Sequence, residues 1–361
     1  MNTNTNYLSY LVFLIFFHIG NAQEPIDYDP WGKGIVTEEE ANIIEKKHHF
    51  PITVEVTVVD ESGIPLKGAR CNVGIDSRLH MDGFNTFVGK TDENGKFTVN
   101  ARGTGASEII VEMDGYYPSR PRFNIVSGKN NNIERIQKFG LEPCKGTASP
   151  MLKKVGKPIP MIVRWPNEMA QVDFPDNTKG EELRWDILKA EWLPPHGKGE
   201  HGDLILSFNE DKGGVNIGND GPQFYWHELN LKFANEHDGF FPIEELHGAD
   251  SMLKFPRIAP EEGYTVKEMT IRTEFIEPRI SYFGNKSKYG YLMRFRTEVD
   301  DDGKVVRGLY GKVTKPIEPG RSFNFHSYIN PNWNDRNLEY DQTTNLAPEL
   351  PERYKGVTWP P

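Results

Sequence analysis

The stretch Ile52-Thr53-Val54-Glu55-Val56-Thr57-Val58 decides how this chain is read. Ile52, Val54, Val56 and Val58 recur at every second residue, and Thr53, Glu55 and Thr57 fall between them. Side chains of an extended strand alternate between its two faces, so this period predicts a half-buried β-strand.

Outward from that run, turn signals arrive often. Asp82-Gly83, Asn94-Gly95, Asp114-Gly115, Asp220-Gly221, Asp238-Gly239 and Asp302-Gly303 all supply residues that tolerate positive φ. They mark many short strands, and Asn94-Gly95 suits a type I′ hairpin turn. The clearest hairpin sets Tyr289, Tyr291, Met293, Phe295 and Val299 against Val305 to Val313, with Asp302-Gly303 between them. The 34 glycines and 26 prolines exceed background usage of about 7% and 5% and are spread out, as a turn-rich β chain requires. The one helix expected follows a capping box, Thr37 with Glu40, and runs on through Ala41-Asn42-Ile43-Ile44-Glu45. Frequent turns with few helices favour an all-β chain of two β-sandwich-like domains over α/β layers.

A length of 361 residues fits about two domains. Between Leu141 and Pro160, Pro143, Gly146, Pro150, Gly156, Pro158 and Pro160 interrupt any regular element. The expected organisation is a signal peptide (1–22), an extension with the short helix (23–50), a first sandwich (51–142), a linker (143–157), a C-terminal β-rich domain (158–347) and a Pro-rich tail (348–361).

Leu8 to Phe17 is largely apolar, His18 to Asn21 turns polar, and Gly20 and Ala22 sit at the spacing signal peptidase reads, which predicts export and cleavage after Ala22. The segment before the apolar run carries no Lys or Arg, so an uncleaved anchor is the alternative. No cysteine follows it to carry a lipid. No run reaches the ~20 apolar residues needed to cross a bilayer, so no membrane span is expected after cleavage, in the periplasm or outside the cell. A formal charge of −10 argues against nucleic acid, because a phosphate-binding surface needs clustered Lys and Arg. Lys153-Lys154 and Lys286 with Lys288 are too short for one.

Cys71 and Cys144 are the only thiols, an even pair that allows one disulfide in an oxidising compartment. Cys71 lies in step with Val73 and Ile75 on an apolar face, whereas Cys144 falls in the expected linker, so pairing requires the linker to fold back. Two unpaired thiols are the alternative.

Residues 52 to about 128 resemble the carboxypeptidase regulatory-like domain, a small transthyretin-like sandwich. The resemblance is carried by Val56-Thr57-Val58-Val59-Asp60-Glu61-Ser62-Gly63-Ile64-Pro65-Leu66-Lys67-Gly68-Ala69, by Thr91-Asp92-Glu93-Asn94-Gly95-Lys96-Phe97, and by Ile110-Val111 with Asp114-Gly115-Tyr116-Tyr117. It implies a fold and no chemistry, since such domains occur beside zinc carboxypeptidases and also without any enzyme. Residues 158 to 347 look like the second half of secreted bacterial proteins that carry the same front domain. That likeness rests on Trp192-Leu193-Pro194-Pro195-His196-Gly197-Lys198-Gly199, on Phe255-Pro256-Arg257-Ile258-Ala259-Pro260-Glu261-Glu262-Gly263-Tyr264, and on Asn330-Pro331-Asn332-Trp333-Asn334-Asp335-Arg336-Asn337-Leu338-Glu339. It implies architecture and export only.

His196, His201, His227, His237 and His247 crowd the centre of the C-terminal part, so His196, His201 and His227 are candidate metal ligands for a site that needs three or four converging groups. Polar loop histidines are the competing reading. His227-Glu228 opens like a metalloprotease helix, but Leu231 stands where the second His is required. No G-x-S-x-G elbow and no Cys-His setting appears. Asp300-Asp301-Asp302-Gly303 and Asn209-Glu210-Asp211 do not complete a twelve-residue calcium loop. No cofactor is expected.

Aromatic residues make up 12% of the chain, with Trp165, Trp185, Trp192, Tyr225, Trp226 and Trp333 all in the expected C-terminal domain. Such rings either fill the core between two sheets or stack on sugar faces from solvent. Trp192, Trp226, Trp333 and Arg336 are therefore the candidate ligand residues. The expectation is an exported, non-enzymatic binding or scaffold protein whose partner is a polysaccharide. The alternatives are an envelope protein-interaction module or a hydrolase with an unrecognised site.

Overall fold

The computed structural model describes residues 50–76, 84–103, 105–121, 144–165, 167–211, 224–246, 250–276, 279–348, 351–354 and 360. The export segment, the Thr37–Glu45 helix, Asp82-Gly83, Asp220-Gly221 and His247 lie outside these residues. The described chain is all-β, its helical parts being one turn, α1 (Asn167–Ala170), and a 3₁₀ turn, Glu352–Tyr354.

The first sandwich comprises β1 (Phe50–Thr57), β2 (Val59–Asp60), β3 (Arg70–Asp76), β4 (Phe84–Lys90), β5 (Lys96–Gly103), β6 (Gly105–Glu112), β7 (Tyr116–Tyr117), β8 (Cys144–Ala148) and β9 (Met151–Lys154). They form three-stranded sheets ordered β5-β1-β8, β4-β3-β6 and β2-β9-β7. Ile52, Val54, Val56 and Val58 point into a shared core with Cys71, Val73, Ile75, Ile109 and Val111, as the alternation requires. The stretch expected to link the domains, 143–157, is instead largely part of this sandwich. β8 runs parallel to β1, with Ile52 opposite Cys144, and β9 pairs with β2 and β7. Proline and glycine there mark edge and interrupted strands, which tolerate both.

The second half contains β10 (Ile159–Arg164), β11 (Gln171–Asp173), β12 (Leu183–Asp186), β13 (Glu191–Trp192), β14 (Leu204–Asp211), β15 (Phe224–Phe233) and β16 (Gly239–Pro242). It continues with β17 (Glu268–Ile276), β18 (Arg279–Phe283), β19 (Tyr291–Val299), β20 (Val305–Val313), β21 (Ser322–Asn324), β22 (Ser327–Asn330) and β23 (Tyr340–Asn345). Two six-stranded sheets result, β16-β19-β20-β22-β10-β23 and β13-β12-β14-β15-β17-β18, with β11 and β21 as a separate pair. Leu204, Leu206, Leu229, Leu231 and Ile271 of one sheet meet Met293, Phe295, Leu309 and Ile329 of the other. The sheet holding β19 is covered on its second face too, by Ile243, Phe255, Ala259, Tyr264 and Leu338. Burial on both faces is why β19 and β20 read as near-continuous buried runs and not as an alternation.

The β19–β20 hairpin forms as the sequence predicts, with Tyr291 opposite Val313 and Val299 opposite Val305. Its turn works through a device repeated twice elsewhere. Asp300 accepts Asp302 and Lys304 N–H on its carboxylate while its carbonyl accepts Gly303 N–H, and Gly303 adopts φ 78°. Asp60 through Ile64 and Asp92 through Lys96 repeat these bonds, with Gly63 at φ 78° and Gly95 at φ 71°. Positive φ falls on the glycine alone, so Asn94-Gly95 is not the type I′ turn its dipeptide suggests. It carries the chain from the sheet of β4 to that of β5 rather than closing a hairpin.

Arg296, a non-glycine residue at φ 53° in the bulge of β19, organises the second half. Asp238 accepts the Arg296 and Thr297 N–H groups, and the guanidinium reaches Asp203 and Asp186 at 2.8 Å each. Burial pushes the Asp203 and Asp238 carboxyls up. At Asp186 burial is outweighed by the N–H groups of Lys189, Glu200 and His201 and by Arg296, which together hold it below its ordinary value.

The two halves are joined by a carboxylate. Glu339, 2% exposed, accepts the Tyr117 hydroxyl at 2.8 Å and the Gly156 and Lys157 N–H groups at 2.7 and 3.0 Å. Arg257 lies 3.8 Å from it and forks onto Glu61 of the first sandwich at 2.7 and 2.9 Å. Burial raises the Glu61 carboxyl, and Arg257, the Lys154 N–H and Lys153 more than offset this, leaving it below its ordinary value. Ser119 bridges Ser251 beside them, with Arg120 N–H on Asp250 and Met252 N–H on Pro118. Glu339→Ala strands the buried Tyr117 hydroxyl and two partly buried N–H groups and is expected to cost about 3 kcal/mol. Calorimetry should then show two transitions where the parent shows one. An unchanged profile removes Glu339 from this role.

Lys312, wholly buried in β20, donates to the Leu338 carbonyl at 2.9 Å. Burial lowers its ammonium from the ordinary value to about 7, against the pull of Glu339. The unfolded chain keeps that proton to about pH 10.4, so it binds more protons than the folded chain in between, and stability due to this group rises with pH over that window. Lys312→Met is expected to flatten the rise, read as melting temperature at about pH 7 and about pH 9. An equal rise in both proteins assigns the dependence to another group.

Candidate functional site

The sheet β13-β12-β14-β15-β17-β18 spends its inner face on the core, and the alternation turns Ile205, Ser207, Asn230, Lys232, Glu268 and Thr270 to the outer face. Register sets these in rows. Ser207, Asn230 and Thr270 lie opposite one another across β14, β15 and β17, and Ile205, Lys232 and Glu268 form the next row. Thr270 Oγ1 donates to Asn230 Oδ1 at 2.6 Å, and Asn230 Nδ2 donates to Ser207 Oγ at 3.4 Å, which orients the carboxamide. A groove of about 610 Å³ runs over both rows, rimmed by Glu182, Gly284 and Lys286. Gly284, at φ 86°, passes so close to β17 that a Cβ would overlap the Thr270 carbonyl oxygen, which only glycine avoids.

The adjoining rows carry charge and an indole. Arg272 meets Glu274 at 2.8 Å and Glu228 at 3.7 Å, and its guanidinium covers one face of Trp226 at 4.5 Å from the ring centre. Trp226 is half-buried and lies on this face two rows along β15 from Asn230, outside the lining of the groove. Donors, acceptors and an aromatic surface on one rigid sheet can bind a neutral polar ligand.

The other ligand candidates do not join Trp226. Trp192 is 6% exposed, packs edge-on against Trp185 at 4.9 Å and donates from Nε1 to the Asp173 carbonyl. It is a core residue, and the loop after it, with Gly199 N–H on the Trp192 carbonyl, serves to bring the Glu200 and His201 N–H groups onto Asp186. Trp333 is 39% exposed under the Arg307 guanidinium at 3.7 Å. Arg336 binds the Ala259 carbonyl and Glu261, both at 2.9 Å, and so ties two loops together.

The histidines are likewise dispersed. His196 sits in the exposed turn after Trp192, and His201 is exposed with its N–H on Asp186. His227 faces Glu210 at 3.5 Å on the inner face of β15, between the Phe208 and Tyr225 rings. Among the described residues no group of three or more His, Cys, Asp or Glu converges as a metal site would require. Cys71 is a free buried thiol, and burial pushes it up to about 11. A second cleft, of about 400 Å³, lies between Phe174, Asn177, Phe208, Glu210 and Arg321.

Sequence reading missed Ser207, Asn230 and Thr270, because three ordinary polar residues become a row only through cross-strand register. The alternation of β14, β15 and β17 was the available signal.

No protein-family model matches the chain, and no curated protein matches it. Among similar solved structures is catechol 1,2-dioxygenase from Acinetobacter radioresistens, with TM-score 0.24 and 17% identity over 31% of this chain and 55% of that one. This chain thus spans little more than half of that enzyme's length. A streptococcal ancillary pilin gives TM-score 0.18 and 11% identity over 82% of this chain and 61% of that one. A mutant of the shaft pilin spaA from Lactobacillus rhamnosus GG gives 0.20 and 10% over 76% and 92%. At these scores the likenesses carry no functional argument, and the fold class rests on the strands themselves.

The two tryptophans should behave oppositely. Trp192→Ala is expected to cost about 3–5 kcal/mol in denaturant unfolding and Trp226→Ala about 1 kcal/mol or less. Equal losses would return Trp226 to a structural role.

Proposed function

We propose that this chain is an exported, non-enzymatic binding protein whose second half presents the outer face of its large sheet to a polysaccharide. One observation carries the reading: the groove over Ser207, Asn230 and Thr270, with Trp226 two rows further along β15 on the same face. A sugar offers hydroxyls that exchange bonds with an oriented carboxamide and hydroxyls, and apolar C–H faces that pack on an indole. The polar lining favours an uncharged hydrophilic ligand over an apolar one. In the same proposal the first sandwich is a carboxypeptidase regulatory-like, transthyretin-like module that acts as a rigid spacer. Its attachment through Glu339 and Arg257 supports that role.

The test is a glycan array with pull-down on insoluble polysaccharides, using the full chain and its Asn230→Ala and Trp226→Ala variants. Binding by the parent is expected to fall about tenfold or more in each variant with melting temperature little changed, the equivalent of about 1.4 kcal/mol per contact. A blank array together with a blank pull-down sinks the reading.

A further inference from the structure

The sheet that bears the groove ends in β18, Arg279-Ile280-Ser281-Tyr282-Phe283, all five of whose residues are exposed. Ile280, Tyr282 and Phe283 are 50, 55 and 50% exposed. Among the described residues no strand pairs with the outer edge of β18, whose N–H and C=O groups are of the kind proteins ordinarily protect with short strands, charge or proline. The other edges of the two large sheets follow that rule: β13 has two residues, β16 ends in Pro242, and β23 beyond Tyr340 is polar. Among the described edges of the two large sheets, β18 alone combines apolar exposed side chains with a single charge, Arg279.

We propose that β18 is a self-association strand, through which two copies of this chain pair edge to edge, antiparallel, about Ser281. The strand specifies that arrangement. A two-fold axis at Ser281 sets Arg279 opposite the second chain's Phe283, a cation beside an aromatic ring, on both sides of the axis. It sets Ile280 opposite the second chain's Tyr282, an aromatic and β-branched pair of the kind that stabilises sheets. Parallel pairing would set Arg279 beside Arg279, where like charges repel. The apolar residues also continue inward, since Ile280 is opposite Phe275, which stacks on Tyr225 at 5.0 Å. Pairing therefore closes a strip running from Tyr225 through Phe275 and Ile280 to the second chain's Tyr282. It makes one twelve-stranded sheet from two six-stranded ones, with both grooves on its outer face. A repeating polymer could then engage both, which adds avidity without new contacts.

The test is sedimentation of the full chain over its soluble concentration range, with two variants at the axis. The parent is expected to show a reversible monomer–dimer equilibrium. Ser281→Lys, which sets two positive charges face to face at an exposed position, is expected to weaken the dimer at least about tenfold without changing the melting temperature. Ser281→Cys brings two Cβ atoms to about 5 Å and is expected to give a disulfide-linked dimer under oxidising conditions that the parent does not form. A parent that stays monomeric throughout, or a dimer that survives Ser281→Lys and does not crosslink through Ser281→Cys, overturns the proposal. Neither result bears on polysaccharide binding by the monomer, so the two readings fail separately.

Discussion

A carboxylate removed from water has to be met by donors, and Glu339 shows how far that requirement reaches. Its oxygens take the Tyr117 hydroxyl from one sandwich and the Gly156 and Lys157 N–H groups from the crossing between the two. Those donors are in place only if β7 and β9 are formed and the chain leaves β9 in one direction. Arg257 cannot reach Glu61 unless the segment carrying it lies alongside Glu339, which the Ile258–Asn337 bridge ensures. One buried charge thus couples four separate stretches of sequence.

This arrangement gives a physical meaning to the sequence motifs of the second half. The segment Phe255–Tyr264 buries Phe255, Ala259 and Tyr264 and projects Arg257. The segment Asn330–Glu339 is a chain of side-chain bonds to backbone, with Asn330 holding the Asp335 and Asn337 carbonyls and Asn337 reaching Lys157. The segment Trp192–Gly199 seats Trp192 and feeds N–H groups to Asp186. Their polar density builds joints between elements. Arg336 makes one such joint, holding the Ala259 carbonyl and Glu261.

The polar surface available for binding is what the core leaves over. One large sheet is covered on both faces, so its outward positions hold Lys312 and Arg294 with backbone carbonyls as partners. The other sheet keeps one face open, and there the residues between Leu204, Leu206, Leu229, Leu231 and Ile271 are free to bond across strands. The groove and the exposed edge of β18 belong to this same sheet, which makes it the part of the molecule turned toward its surroundings.

Alternation and turn residues alone are enough to read the chain as all-β, to place Ile52, Val54, Val56 and Val58 of β1 in the core, and to fold β19 back on β20. Each follows from local rules: side-chain alternation has a fixed period, and a glycine after an Asp-led turn takes positive φ without strain. Cys71 on an apolar face was legible for the same reason. Long-range packing is what makes strands of residues 144–148 and 151–154, buries Trp192 while leaving Trp226 half-buried, keeps His196, His201 and His227 on separate elements, and sets Ser207, Asn230 and Thr270 in a row. Those outcomes depend on which strand lies beside which and in what register, and pairings between residues far apart in the chain leave no periodic trace in either partner.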